Sequence, residues 1–313
     1  AKRNAIIRKL PAVETLGSTT IICSDKTGTL TQNQMTVQEI HAGGDLILVS
    51  GSGYVPEGTF TLNGETISIE NHPALNQCLL AGMLCNDAAL VKSGDDWSVE
   101  GDPTEAALVV SAQKSGLERE AMVSRFPRID AIPFESQYQY MATLHEKDGQ
   151  QIVYLKGAVE SLVPRCSRAL TARGEEIPLN IDDCHRWSEE MACKGLRVLA
   201  FARLEAKNAI GQLQHDDVAE GLTFLGLQGM IDPPREEAVR AVKVCQKAGI
   251  RVKMITGDHV ITATAIARQI GLNGGDDNRG KPPALNGREL EQLSDTELVE
   301  SAQRTEVFAR VAP

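Results

Sequence analysis

Apolar and polar positions follow two different styles along this chain. Near the start, Thr19-Thr20-Ile21-Ile22-Cys23 is apolar and β-branched and predicts a buried strand leading to Asp25. Past Met35, short alternating stretches such as Leu46-Ile47-Leu48-Val49 and Thr66-Ile67-Ser68-Ile69 predict strands between turn residues. Helical spacing follows from Pro73 to Cys85 and again from Pro103-Thr104-Glu105 through Val110. Strands are expected again at Met141 to His145 and Gln151 to Leu155. This middle block therefore reads as α+β with a largely antiparallel sheet.

From Leu222 the pattern returns to strand–helix alternation. Phe224 to Met230 predicts a strand, and Asp232-Pro233-Pro234-Arg235 a rigid stop before a helix. That helix carries Ala238, Val239, Val242 and Cys245 on one face and ends at Gly249. Val252 to Ile255 predicts the next strand, running into Thr256-Gly257-Asp258. A further helix uses Ile261, Ala265, Ile266 and Ile270, with Gly271 as its stop, and Val307-Phe308-Ala309 starts another strand. The first and last blocks share a parallel-sheet style that the middle lacks. One α/β domain interrupted by an insertion accounts for this, with crossings near Gln32–Met35 and Ile231–Pro234.

Bulk properties narrow the function classes. The 313 residues suit two domains, each large enough for its own core, and 42% hydrophobic with 24% charged residues is ordinary globular composition. A net charge of −10 argues against a nucleic-acid or anionic-membrane surface. Acidic pairs such as Asp95-Asp96, Glu175-Glu176 and Asp216-Asp217 are dispersed, as on a solvated face. Seven cysteines without a CxxC pair read as reduced thiols in a cytosolic compartment, with Cys78 and Cys85 in a core. No apolar run is long enough to span a bilayer, and the Lys2, Arg3, Arg8, Lys9 segment is no signal peptide. The chain by itself is expected to be soluble. Two phosphate-loop echoes are discounted. Gly275, Gly280 and Lys281 are followed by Pro282 instead of a hydroxyl, and Gly51-Ser52-Gly53 lacks its third glycine at Pro56.

The most informative stretch is Asp25-Lys26-Thr27-Gly28-Thr29-Leu30-Thr31. It sets a carboxylate at the carboxyl end of a strand, where open α/β sheets hold ligands, and a glycine lets backbone N–H groups converge on an anion. An aspartate so placed can attack a phosphoryl group to form an acyl phosphate. Asp25 as a turn cap neutralised by Lys26 is the plainer alternative. The full heptapeptide resembles the phosphorylation signature of P-type ion-pumping ATPases.

Four further patches resemble the same family in the same order: Gly101-Asp102-Pro103-Thr104-Glu105, Pro133-Phe134-Glu135-Ser136, Lys156-Gly157-Ala158-Val159-Glu160 and Arg197-Val198-Leu199-Ala200. They are similar to the nucleotide-binding domain of type II pumps, the calcium and sodium/potassium group. The resemblance implies ATP as ligand, with Phe134 stacking on adenine, Lys156 lining its pocket, Glu105 near the purine amino group and Arg197 near the phosphates. Ser136, Gly157, Leu199 and Asp232 complete the implied nucleotide site. Taken singly, Phe134 also fits a core, Lys156 a solvent-facing strand end and Glu105 a helix N-terminus. Many relatives carry a lysine five residues beyond the phenylalanine; here Gln139 stands there, which removes one positive charge.

The resemblance continues with Asp232-Pro233-Pro234-Arg235, Thr256-Gly257-Asp258 and Phe308-Ala309-Arg310-Val311-Ala312-Pro313. It implies a catalytic set of Asp25, Lys26, Thr27, Thr256, Gly257, Asp258 and Arg310. Thr256 and Gly257 would hold the phosphoryl oxygens, and Asp258 would orient the loop. Magnesium would be held by Asp25 and the Thr27 carbonyl. The implied fold is a haloacid-dehalogenase-like, Rossmann-type phosphorylation domain in segments 1–34 and 232–313, incomplete at its carboxyl end. A nucleotide-binding domain over 35–231 is inserted in it, and domain closure would carry the γ-phosphate to Asp25. Phosphatases of that fold carry an aspartate where this chain has Thr27, so a long-lived acyl phosphate is expected, which favours a pump. The chain is read as an excised catalytic fragment from the cytoplasmic face of an integral membrane pump. It is expected to bind nucleotide but not turn over, its transmembrane and actuator partners being absent. A soluble phosphatase of the same fold and a non-catalytic nucleotide-sensing module are the rival readings.

Overall fold

A computed structural model describes residues 17–94, 96–206, 208–272 and 282–311. Readings that fall on residues 1–16, on Asp95, on the Gly275/Gly280/Lys281 spacing and on Ala312-Pro313 lie outside the described residues. Two compact units emerge. One takes the described residues up to Asn33 and from Pro234 onward; the other is Gln34–Pro233.

The chain opens the first unit with β1 (Ile21–Asp25), which ends in a tight turn over Lys26–Leu30. Gly28 sits in that turn at φ 74°, a conformation that favours glycine. The chain then passes into the second unit.

That unit is built on a large sheet of eleven strands. In chain order its elements are β2 (Thr36–Ala42), β3 (Asp45–Val49), β4 (Phe60–Leu62), β5 (Glu65–Ile67), α1 (Pro73–Leu84), a separate hairpin β6 (Ala89–Ser93) and β7 (Asp96–Glu100), α2 (Pro103–Lys114) and α3 (Arg119–Arg125). They continue as β8 (Arg128–Glu135), β9 (Tyr140–Lys147), β10 (Gln150–Gly157), α4 (Val159–Leu162), β11 (Cys166–Leu170), β12 (Glu176–Pro178), α5 (Ile181–Cys193), β13 (Arg197–Glu205) and β14 (Leu222–Ile231). The main path runs β5-β4-β3-β2-β14-β13-β10-β9-β8, every neighbour antiparallel. β14 lies at its centre and is buried at every position, as a strand enclosed on both faces must be.

Helix starts here are written locally. Pro103 opens α2 behind Asp102, whose carboxylate accepts from the Thr104 and Glu105 amides at 2.8 and 3.3 Å. Pro73 opens α1 behind His72, whose Nδ1 accepts from the Leu75 amide at 3.2 Å while Nε2 meets Asp45 at 3.0 Å. α1 is apolar almost all round, so it sinks into the core through Leu75, Leu79 and Met83 against Ile40, Tyr154 and Phe201. Cys78 and Cys85 are buried there too.

The chain returns to the first unit through α6 (Glu236–Lys247), β15 (Arg251–Thr256), α7 (Val260–Gln269), β16 (Ala284–Asn286), α8 (Gly287–Glu291), α9 (Asp295–Arg304) and β17 (Val307–Ala309). The four strands form a parallel sheet in the order β1-β15-β17-β16. One expectation fails here. β1 was expected to be buried, yet Ile22 and Cys23 are exposed, because among the described residues β1 pairs only with β15 and forms the sheet edge. Two smaller differences follow. Ile69 belongs to a single helical turn capped by Ser68 instead of to a strand, and α6 buries Ala238 and Val242 but leaves Val239 and Cys245 half-covered.

Candidate functional site

The parallel sheet brings one group of predicted residues to its carboxyl edge. Asp25 closes β1 in register with Ile255, and Thr256 closes β15 in register with Ala309, one residue before Arg310. Asp25 is exposed and makes no ion pair among the described residues. Lys26 does not neutralise it. The Lys26 side chain is buried, and its Nζ lies 2.5 Å from Asp258 Oδ2. The Thr256 hydroxyl accepts from the Asp258 amide at 3.1 Å, while Arg310 and Val311 donate from their backbones to the Asp258 and Thr256 carbonyls at 3.1 and 3.3 Å. Thr27 and Gly257 are exposed beside this frame. The donor set suits a hard cation: an uncommitted carboxylate on Asp25 and a nearby backbone carbonyl leave most of an octahedron to water and phosphate.

The second unit gathers another group by strand register. Lys156 on β10 pairs with Met141 of β9 and Phe201 of β13, both core residues under α1. Lys156 is only 6% exposed, not the solvent-facing strand end of the plain alternative. Its Nζ meets Glu105 Oε1 of α2 at 2.5 Å, and the other Glu105 oxygen accepts from the Asp87 amide at 3.1 Å. On β8 the register slips between Ile132 and Glu135, which pair with Ala142 and Tyr140 on one common face. The extra residue turns Phe134 onto the opposite face, shared with Met141 and Lys156. Phe134 is 59% exposed, so it is no core residue.

Glycine is required next to Lys156. A Cβ at Gly157 would stand 2.5 Å from the Gln139 carbonyl and 2.7 Å from the Tyr140 Cβ. Arg197 opens β13 and donates to the Thr104 hydroxyl at 3.2 Å, and Leu199 packs half-buried on the core of the same sheet. Asp232, just past β14, accepts from the Gln34 amide at 3.1 Å. The Tyr54 phenol is held above its ordinary pKa first by burial, then by the Asp232 and Asp102 carboxylates. Ser136 is exposed in the β8–β9 turn. Gln139, at φ 58°, accepts from the Ser161 hydroxyl of α4 at 3.2 Å.

Some contributors were not singled out from sequence. Arg235 donates through Nε to the Thr31 carbonyl at 2.9 Å and through Nη2 to the Gly28 carbonyl at 3.2 Å, and its amide binds the Leu30 carbonyl at 2.9 Å. It thereby staples the turn that follows Asp25. Its place after Pro233-Pro234 was the only signal, and nothing local says where it reaches. The Cys85–Ala88 segment is another: Asn86 Nδ2 donates to the Gly82 and Glu105 carbonyls at 2.9 and 2.8 Å, fixing the helix that carries Glu105. A cavity of about 980 Å³ lies elsewhere, around Gln151, Arg168, Glu176, Glu205 and Thr223, and no predicted site residue lines it.

With this geometry established, comparison with known proteins is informative. The family model for the P-type ATPase cytoplasmic domain N matches residues 74–237. The chain is 53% identical over 320 residues to the cation-transporting ATPase pma1 of Synechocystis sp., covering 100% of this chain and 35% of that protein. It is 45% identical over 317 residues to the probable cation-transporting ATPase F of Mycobacterium tuberculosis, with the same coverage of 100% and 35%. It is 42% identical over 316 residues to a calcium-transporting ATPase of Bacillus subtilis, again covering 100% and 35%. The chain thus spans about a third of the length of these curated relatives.

Proposed function

The chain belongs to the P-type ATPase family, and from that membership we propose that it is the ATP-binding and phosphorylation portion of a cation pump. In this reading Gln34–Pro233 is the nucleotide-binding domain, and the parallel-sheet unit is a haloacid-dehalogenase-like phosphorylation domain. The whole protein would couple ATP hydrolysis to cation transport from the cytoplasmic face of a membrane, with the remainder of the pump as partner. Among the described residues no helix is long and apolar enough to cross a membrane.

One observation carries the nucleotide reading. An aromatic ring is held largely in solvent by a strand irregularity, on the face of a buried lysine–carboxylate pair. Folding gains little from exposing Phe134; a planar base gains a stacking surface there. Glu105 offers a carboxylate to an exocyclic amino group, Lys156 a donor to a ring nitrogen, and Arg197 a charge for phosphate.

At the other unit, Asp25 presents a carboxylate oxygen to the γ-phosphorus. A bond forms between that oxygen and phosphorus as the bond to the β,γ-bridging oxygen breaks, and ADP departs with the electron pair. Thr256 and Gly257 flank that edge as donors for the transferring oxygens. Lys26 is already bound to Asp258, which leaves the Asp25 oxygens free to attack the phosphorus. Magnesium, when bound to Asp25 and the Thr27 carbonyl, would supply charge neutralisation for the phosphates.

Calorimetric titration with ATP tests the first half. Phe134→Ala should weaken binding by about fivefold to a hundredfold, the span of a lost base–aromatic stack. Binding unchanged by that substitution places the base elsewhere and overturns the site.

A further inference from the structure

The loop that closes α1 serves two places at once. Its Asp87 amide holds Glu105, as described above, and its Asn86 and Asp87 also line a cavity of about 190 Å³. The cavity walls are of two kinds. Met83, Leu84, Val123 and Phe126 give apolar surface, and Arg119 and Arg128 give charge.

The two arginines differ in their commitments. Arg128 is engaged, with Nη1 at 2.6 Å from Asp87 Oδ1 and Nη2 donating to the Leu84 and Asn86 carbonyls at 3.0 and 2.6 Å. Arg119 donates through Nη1 to the Ala88 carbonyl and makes no ion pair among the described residues. Burial, then the neighbouring Arg128 charge, pulls its pKa below the usual arginine value, against a smaller opposing pull from the Glu120, Asp87 and Glu105 carboxylates. More cations stand around the same ring: Lys147 Nζ lies 5.3 Å and the Arg125 guanidinium carbon 5.8 Å from the Phe126 centroid. Asp87 is the single carboxylate among the lining residues.

The lining itself thus sets two guanidiniums against one carboxylate, which Arg128 already engages. A guanidinium drawn partly out of water beside another, with no carboxylate at ion-pair distance among the described residues, gains from an anion that completes it. Its planar fork matches carboxylate and phosphate oxygens. The volume is below the roughly 300–1,000 Å³ of drug-sized sites, so the ligand is small.

We propose that this cavity binds an oxyanion carried on a short apolar stem, a carboxylate or a phosphate monoester, with Arg119 as the principal donor and Phe126 and Val123 against the stem. The site lies wholly within Gln34–Pro233 and does not depend on the nucleotide reading.

The test is calorimetric titration of the chain with phenyl phosphate, benzoate and inorganic phosphate. Saturable binding of phenyl phosphate or of benzoate, tighter than that of inorganic phosphate, is expected, and the better of the two identifies the head group. Arg119→Gln should weaken it at least about tenfold, the loss of one charged hydrogen-bonding group. Val123→Glu, at an exposed rim position, should abolish it without touching the core. Phe134→Ala should leave it unchanged, which separates this site from the nucleotide site. The proposal is overturned by an absence of saturable binding to the unmodified chain, by retained affinity in both cavity variants, or by loss of binding in Phe134→Ala.

Discussion

The buried pair Lys156–Glu105 makes a prediction whose size can be worked from its surroundings. The two side chains are 7% and 18% exposed and 2.5 Å apart. Replacing Glu105 by Gln leaves an ammonium among Cys85, Met141 and Phe201 with no other carboxylate within salt-bridge distance among the described residues. Breaking such a pair by removing one partner costs about 3–5 kcal/mol. Lys156→Met should cost less, about 1–3 kcal/mol, since Glu105 keeps the Asp87 amide and its partial exposure. The double variant should be less damaged than the sum, because it leaves no orphaned charge. A coupling of about 2 kcal/mol or more in a urea-denaturation double-mutant cycle is therefore expected. ATP titrations on the same four proteins separate stability from binding: Lys156→Met should lose affinity even where it remains folded. Additive losses, with coupling below about 0.5 kcal/mol, would refute the view that these charges depend on one another.

Two further outcomes follow from other contacts. Arg235→Met removes the donors to the Thr31 and Gly28 carbonyls, so the turn after Asp25 should open more readily; amide hydrogen exchange at Thr31 and Leu30 should quicken by about tenfold or more, and unchanged exchange would dismiss the staple. His41 and His145 both have pKa values lowered from 6.5 to about 4, chiefly by burial, so the unfolded chain binds the extra protons and stability present above pH 6.5 is lost as pH falls towards 4. At pH 5 the loss is about 2 kcal/mol for each histidine; urea midpoints at pH 8 and 5 should show it, His145→Gln should recover about half, and an unaltered pH slope in that variant would contradict the assignment.

The parts that sequence made legible are those written locally. Asp102-Pro103 and His72-Pro73 announce their helices through a cap and a fixed φ, and Gly249 and Gly271 end theirs at φ 75° and 91°. The split into two pattern styles was legible because period and composition change together at the crossings. What stayed hidden was set by partners distant in the chain. The apolar run at Ile21–Cys23 reads as buried, but burial depends on neighbouring strands that no local pattern specifies. For Phe134 the sequence left a core position open beside the adenine-stacking role, and only the register slip beside it rules the core position out. Lys26 beside Asp25 invites pairing between them, yet its side chain finds Asp258.

That last point bears on how both candidate sites handle phosphate. Lys26 and Lys156, the two lysines implied by the motifs, are each already joined to a carboxylate, Asp258 and Glu105 respectively. A lysine so paired offers an incoming anion little net field, because the carboxylate cancels its charge at short range. The groups without an ion pair among the described residues are different: Asp25 at the sheet edge, and Arg197, which donates to the neutral Thr104 hydroxyl. In the proposed reading Asp25 is thus left reachable at the sheet edge, and attraction of phosphate in the second unit would fall to Arg197.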